Sequence, residues 1–218
     1  MTEEEARGWI ETHVDVSRET WARLERFVDL LGAGMESQNL IARSTWPDVW
    51  ERHILDSAQL LPLAANAGEG EWIDLGSGAG LPGIVIAILS ERPLMLIESR
   101  RLRIDFLRYV AKELGLPHVT VHGCRVEQAA GTEAAVISAR AYAPLDRLLT
   151  SALHLSGDKT LWLLPKGRQA QNELEAARPS WQGAFHVEPS VTDPDSAIIV
   201  ARGVGKPVHR PSRRKDRR

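Results

Sequence analysis

Residues 74–83, Asp-Leu-Gly-Ser-Gly-Ala-Gly-Leu-Pro-Gly, constrain the fold more than any other stretch of this 218-residue chain. The apolar run Trp72-Ile73-Asp74-Leu75 leads into three alternating glycines, and a helical pattern starts at about Pro82. Glycine has no Cβ, so the backbone can turn sharply there and a ligand can approach it closely. Strand, glycine turn and helix in that order form the first unit of an open α/β sheet, the place where nucleotide-like ligands sit. Gly78, Gly80 and Gly83 also satisfy the G-x-G-x-x-G spacing of dinucleotide sites, a weak signal by itself.

The rest of the chain repeats the alternation. Further strands are predicted over residues 94–97 (ending at Glu98), 118–122, 134–139, 160–164 and 196–201, with helices over 82–90, 101–114, 145–155 and 169–178. Such alternation implies crossover connections and a mainly parallel, doubly wound sheet. Gly115 and Pro117 close the helix that begins at Arg101. Before the sheet, residues 1–65 read as a helical extension. Trp21, Leu24, Phe27, Val28 and Leu31 recur at spacings of three and four behind a candidate N-cap, Ser17, and Gly32 and Gly34 punctuate the end. A second helix is expected from about Thr45, with Pro47 in its first turn, through Trp50 to Leu61; Trp46 and Trp50 are read as core. The division expected is therefore 1–65 helical extension, 66–204 ligand-binding domain and 205–218 basic tail.

Charge singles out that tail. Of 27 Lys and Arg, seven lie in residues 206–218 against one acid, Asp216, so the tail carries about +6 and the remainder of this chain of net charge −2 carries about −8. Such a tail is either a solvated end or an arm that replaces condensed counterions on a phosphate backbone. No apolar run approaches the roughly 18 residues of a membrane span, and the acidic start lacks the features of a signal peptide. The single cysteine, Cys124, excludes an internal disulfide and fits a reducing, cytoplasmic setting.

Asp74 decides between ligand classes. The full run D-x-G-x-G-x-G resembles motif I of the class I S-adenosylmethionine (SAM) methyltransferases. A carboxylate there suits the cationic methionine moiety of SAM better than a pyrophosphate. Glu98, 20 residues after Gly78, suits ribose hydroxyls, which SAM and dinucleotides share. The resemblance then becomes specific. Asn39-Leu40-Ile41-Ala42, Arg52-His53-Ile54-Leu55-Asp56-Ser57, the Leu81-Pro82-Gly83 ending of the glycine turn, Glu98-Ser99 with Arg103 and Phe106-Leu107-Arg108, Arg125-Val126-Glu127, residues 138–145 and Leu164-Pro165-Lys166-Gly167 occur in the order of one family. The chain resembles the bacterial small-subunit ribosomal RNA guanine-N7 methyltransferases, the RsmG/GidB family. Glu98 stands where that family usually has Asp, and Leu102 replaces a frequent Lys.

The resemblance implies a class I SAM-methyltransferase fold, Rossmann-like with a mostly parallel seven-stranded sheet. It also implies methylation of N7 of guanine at nucleotide 527 of 16S rRNA, the small ribosomal subunit as partner, and a monomer. It places Gly76 and Leu81 against SAM with the cofactor-binding residues Asp74, Gly78 and Gly80 in the same turn, Glu98 at the ribose, Val126 and Glu127 beside the adenine, and Arg140 near the bound cofactor, where the transferred methyl and the substrate meet. Guanine N7 carries a free lone pair, so positioning and charge complementarity suffice and no general base is needed. His53 and Asp56, three apart on a helical face, are read as a hydrogen-bonded pair bracing the extension. Lys166 either meets RNA phosphate or braces the active-site loop. Arg103, Arg213, Arg214 and Lys215 are candidate RNA contacts, and no cluster has metal-ligand spacing. Two other functions stay open on sequence alone: a SAM enzyme for a small molecule, and a SAM-binding regulator without catalysis.

Overall fold

A computed structural model describes residues 1–131 and 133–207. Helix α1 (Glu3–His13), which the sequence reading did not delimit, starts at a capping box. The Thr2 hydroxyl accepts from the Glu5 N–H at 3.2 Å, and the Glu5 carboxylate accepts from the Thr2 N–H at 2.7 Å. Helix α2 (Arg18–Gly34) is capped by Ser17, whose hydroxyl accepts from the Thr20 N–H at 3.1 Å. Gly32 lies inside α2 rather than at its end, and the Trp46 ring packs where its Cβ would be.

The continuous helix expected from Thr45 to Leu61 is broken into pieces. A 3₁₀ turn (Arg43–Thr45) is followed by a π-helical stretch (Trp50–Leu55) and two short helices, α3 (Asp56–Ala58) and α4 (Leu60–Leu63). Pro47 and Pro62 remove backbone donors that a regular helix would use. The π turn adds a residue to the ladder, a local widening that is common where function resides.

Seven strands follow: β1 (Trp72–Leu75), β2 (Leu94–Glu98), β3 (Val119–Gly123), β4 (Val136–Ser138), β5 (Leu161–Lys166), β6 (Gln182–Pro189) and β7 (Ala197–Gly205). Their order is β3-β2-β1-β4-β5-β7-β6. The first five run parallel, and β7 is antiparallel to both neighbours. Four helices connect them: α5 (Gly83–Leu89), α6 (Arg101–Glu113), α7 (Leu145–Ala152) and α8 (Ala170–Ala177). Strand β6 was absent from the sequence reading. It is a mostly exposed edge strand whose only inward residues are Phe185 and Val187, so it lacks the continuous apolar run of the central strands.

Alternate strand residues feed two cores. Trp72, Leu94, Leu96, Val136, Leu161 and Leu163 pack with the N-terminal helices, α5 and α6. Ile73, Leu75, Ile97, Ile137, Trp162 and Leu164 pack against α7 and α8. Helix α5 is buried along its whole length, because the extension covers the side that the sheet leaves open. The strand order reverses between β1 and β4, and a crevice outside their C-terminal ends is where open α/β sheets bind ligands.

Candidate functional site

Two cavities open at that edge. The smaller, about 380 Å³, is lined by Gly76, Glu98, Arg103, Val126, Glu127 and Tyr142 among others. The larger, about 600 Å³, is lined by His53, Asp56, Arg140, Tyr142 and Lys166 together with the turn between β6 and β7. Ala141 and Tyr142 belong to both walls, so the loop after β4 separates the two spaces.

The smaller cavity is built on backbone donors. Glu98, 6% exposed at the end of β2, accepts from the Gly78 N–H at 3.0 Å through one oxygen, and from the Ser99 and Arg100 N–H groups at 2.7 and 2.8 Å through the other. Three donors on one carboxylate fix both the glycine turn and the start of α6. Gly76 has φ +64° and faces the Tyr142 ring, whose Cδ2 would lie 2.5 Å from a Cβ there; only glycine allows that approach.

Asp74, Gly78, Gly80 and Leu81, which the resemblance groups in the cofactor turn, are packed inside it. All four are buried, and the walls of the two cavities are formed by their neighbours. The Asp74 carboxylate accepts from the Ser138 hydroxyl at 2.8 Å and from the Gly83 N–H at 3.3 Å, and Ser138 accepts from the Trp72 indole at 2.9 Å. Asp74 thus ties β1 to β4 and to the first turn of α5. Burial pushes its carboxyl up to about 6, against the pull of those hydrogen bonds and of the Arg140 charge.

Arg140 organises the larger cavity. Its Nη1 donates to Asp56 Oδ2 at 3.0 Å and to the Arg52 carbonyl at 3.1 Å, and its Nη2 donates to His53 Nδ1 at 3.2 Å. Arginine can only donate, so Nδ1 is the acceptor and the imidazole proton sits on Nε2. From there it is donated to the Thr45 hydroxyl at 2.8 Å, which in turn donates to the Ala42 carbonyl at 2.8 Å. Burial, then the charges of Arg140 and Arg52, push the His53 pKa down to about 3. His53 and Asp56 are therefore not bonded to each other, as expected from sequence, but are joined through Arg140. Asp56 Oδ1 accepts from the Gln59 amide and the Thr192 hydroxyl at 3.0 and 2.9 Å, which carries the network to the turn between β6 and β7.

Lys166 has the bracing arrangement. Its Nζ donates to the Ala143 carbonyl and to Glu173, both at 2.8 Å, and Glu173 also accepts from the Leu145 N–H at 2.8 Å. These bonds clamp the loop after β4 to α8. Arg103 donates to the Asn39 carbonyl at 3.2 Å, holding the extension against the smaller cavity. Arg213, Arg214 and Lys215 lie outside the described residues; of the tail, Lys206 sits 3.6 Å from the centre of the Trp181 ring. Among the described residues no group of His, Cys, Asp and Glu is arranged to hold a metal, and no helix is long and apolar enough to cross a membrane. Sequence reasoning passed over Tyr142, whose one signal was its position inside the element around Arg140.

Residues 20–196 match the profile of the family described as rRNA small subunit methyltransferase G. The chain belongs to this family. A ribosomal RNA small subunit methyltransferase G of Sphingopyxis alaskensis is 56% identical over 201 residues, 92% of this chain and 86% of that one. One from Rhizorhabdus wittichii is 57% identical over 206 residues, 94% of each. As a member of the family the chain is a SAM-dependent methyltransferase. Its fold is shared with MtNAS in complex with S-adenosylmethionine (TM-score 0.56, 17% identity, 83% of this chain and 74% of that one). It is shared also with a SAM-dependent methyltransferase from Aquifex aeolicus (TM-score 0.57, 12% identity, 72% and 93%). In this family setting the smaller cavity fits the cofactor chemically, with the Glu98 carboxylate at the end of β2 suited to ribose hydroxyls.

Proposed function

We propose that the protein transfers the methyl of SAM to N7 of a guanine in 16S rRNA, nucleotide 527, acting as a cytoplasmic monomer without a metal. Residues 66–204 form the catalytic domain, 1–65 its extension and 205–218 a basic tail. The observation that carries this reading is the pair of cavities meeting at Ala141 and Tyr142, one suited to an adenosine cofactor and the other roomy enough for a base drawn out of its stack.

SAM supplies an electrophilic methyl group on a sulfonium. In the smaller cavity Glu98 would hold the ribose and Val126 and Glu127 would flank the adenine, with Gly76 admitting the Tyr142 ring to the wall and Gly78 fixing Glu98 through its N–H. Asp74, Gly80 and Leu81 shape the turn from within the core. In the larger cavity Arg140 positions the base, held by Asp56, His53 and the Arg52 carbonyl. Asp56 offsets the Arg140 charge, so the cavity does not repel a guanine that becomes cationic on methylation. No residue has to remove a proton from N7, and none in the cavity is arranged as a base: His53 already has both ring nitrogens engaged. Lys166 keeps the dividing loop in place.

The test is methyl transfer from labelled SAM to small ribosomal subunits purified from cells lacking the protein, with the base mapped by N7-specific strand cleavage. One labelled guanine at nucleotide 527 is expected. Label at another base would overturn the target. No label on subunits or free rRNA, with SAM still bound, would favour a small-molecule enzyme or a non-catalytic binder.

A further inference from the structure

The smaller cavity carries more positive charge than its cofactor calls for. Arg100, Arg103, Arg125 and Arg147 line it against only Glu98 and Glu127. SAM is itself a net cation, with a sulfonium and an ammonium against one carboxylate, so it gains nothing from surrounding arginines. Arg103 is engaged by the Asn39 carbonyl, but Arg100, Arg125 and Arg147 are exposed. Among the described residues these three form no ion pair.

The charge continues away from the cavity. Arg100 is the N-cap of α6, and the outer side of that helix carries Arg108 and Lys112 one turn apart, with Tyr109 next to Arg108, all exposed. Arg108 and Lys112 border a groove of about 400 Å³ beside the edge strand β3, and Arg125 follows the end of that strand. Arg108 and Lys112 also have no ion-pair partner among the described residues, whereas Arg101 and Glu113 on the same helix are paired with Asp105 and Arg26. Tyr109, 50% exposed beside these two cations, offers an aromatic face to solvent. From Arg100 to Lys112 the helix spans about 18 Å, the reach of several successive phosphates, on a body that is otherwise acidic.

We propose that this track, from the mouth of the cofactor cavity along the outer face of α6, is a second rRNA-binding surface. Arg100, Arg125 and Arg147 take phosphates next to the target nucleotide, Arg108 and Lys112 take phosphates farther along the strand, and Tyr109 stacks on an unpaired base. The proposal rests on the rRNA reading above and adds to it where the RNA runs.

The test compares R108E/K112E with K159E/R178E. The control pair makes the same charge change on exposed residues, Lys159 before β5 and Arg178 after α8, at the opposite end of the strands. For R108E/K112E the KM for small subunits should rise at least tenfold, with kcat at saturation and SAM affinity unchanged. The dependence of log KM on log salt should flatten by about 1.4, two contacts at roughly 0.7 each on single-stranded RNA. Y109A should raise KM without altering the salt slope. The control pair should match the wild type. Unchanged KM and salt slope in R108E/K112E, or an equal rise in both pairs, would overturn the proposal, as would a loss of SAM binding with the KM effect. Filter binding of the same variants to 16S rRNA scores the surface independently. Absence of turnover by the wild type would count against the rRNA reading, whereas equal RNA retention by wild type and R108E/K112E would count against the track.

Discussion

Replacing His53 by Gln should change how stability depends on pH, and the size of the change follows from the hydrogen-bond chain through the ring. His53 is held neutral between Arg140 and Thr45, its pKa pushed to about 3 from 6.5. Between those values the unfolded chain binds a proton that the folded chain does not, so folding stability rises with pH across that window and is lost as pH falls below 6.5. At a little over 1 kcal/mol per pH unit, the loss is roughly 1 kcal/mol at pH 5.5 and roughly 3 at pH 4.5. Asp74 acts in the opposite sense. Burial raises its pKa from 3.8 to about 6, so the folded state keeps a proton that the unfolded state has released, and stability falls as pH rises through that interval. The two slopes offset each other in the wild type, and a single pH profile would hide both. His53→Gln separates them: its carbonyl accepts from Arg140 and its amide donates to Thr45, but it does not titrate. Urea unfolding of both proteins at pH 7.5, 6.5, 5.5 and 4.5 should show the variant ahead of the wild type, relative to pH 7.5, by about 1 kcal/mol at pH 5.5 and about 3 kcal/mol in total at pH 4.5. Parallel curves down to pH 4.5 would refute a buried neutral imidazole at this position.

Three further substitutions follow from the same geometry. Gly83→Ala places a Cβ against the Leu96 side chain and 2.9 Å from Asp74 Oδ2; overpacking of about 1–3 kcal/mol should lower Tm by roughly 2–12 °C in calorimetry, and an unchanged Tm would mean α5 does not seat that tightly. Glu98→Gln must turn its amide NH₂ toward at least one of three backbone N–H donors, so SAM affinity measured by titration calorimetry should fall by about tenfold or more; equal affinity would remove Glu98 from the cofactor site. Arg140→Ala should raise the His53 pKa in an NMR titration and reduce kcat on subunits by about 100-fold through misplacement of the base, with SAM affinity nearly unchanged. Loss of SAM affinity instead would assign Arg140 to the cofactor.

The sheet was legible because parallel strands are buried on both faces and read as apolar runs, as at Leu94-Met95-Leu96-Ile97, and because glycines marked the turn that starts α5. The strand β6 escaped because only Phe185 and Val187 face inward among exposed neighbours. The region from Thr45 to Leu61 misled the periodicity, since Pro47 and a π turn break the ladder while leaving apolar spacing that a straight helix would also show. In the site, residue types announced the chemistry but not the partners. Nothing in the spacing of His53 and Asp56 shows that Arg140, 87 and 84 residues away, stands between them. Tyr142 was missed for a related reason: its role depends on Gly76 lacking a Cβ, a relation across the sheet that no local pattern carries.

The network around Asp56 also sets an order of events for a chain as it is made. The Arg52, Asp56 and Gln59 side chains from the extension meet Asp193, Thr192 and Ser190 from the turn between β6 and β7. A nascent chain can wind its first helices and pair β1 with β2 early. The wall of the larger cavity closes only when its last hairpin has been delivered. Until then Gln59 lacks Ser190 and Asp56 lacks Thr192, whereas every residue that lines the smaller cavity has already been made.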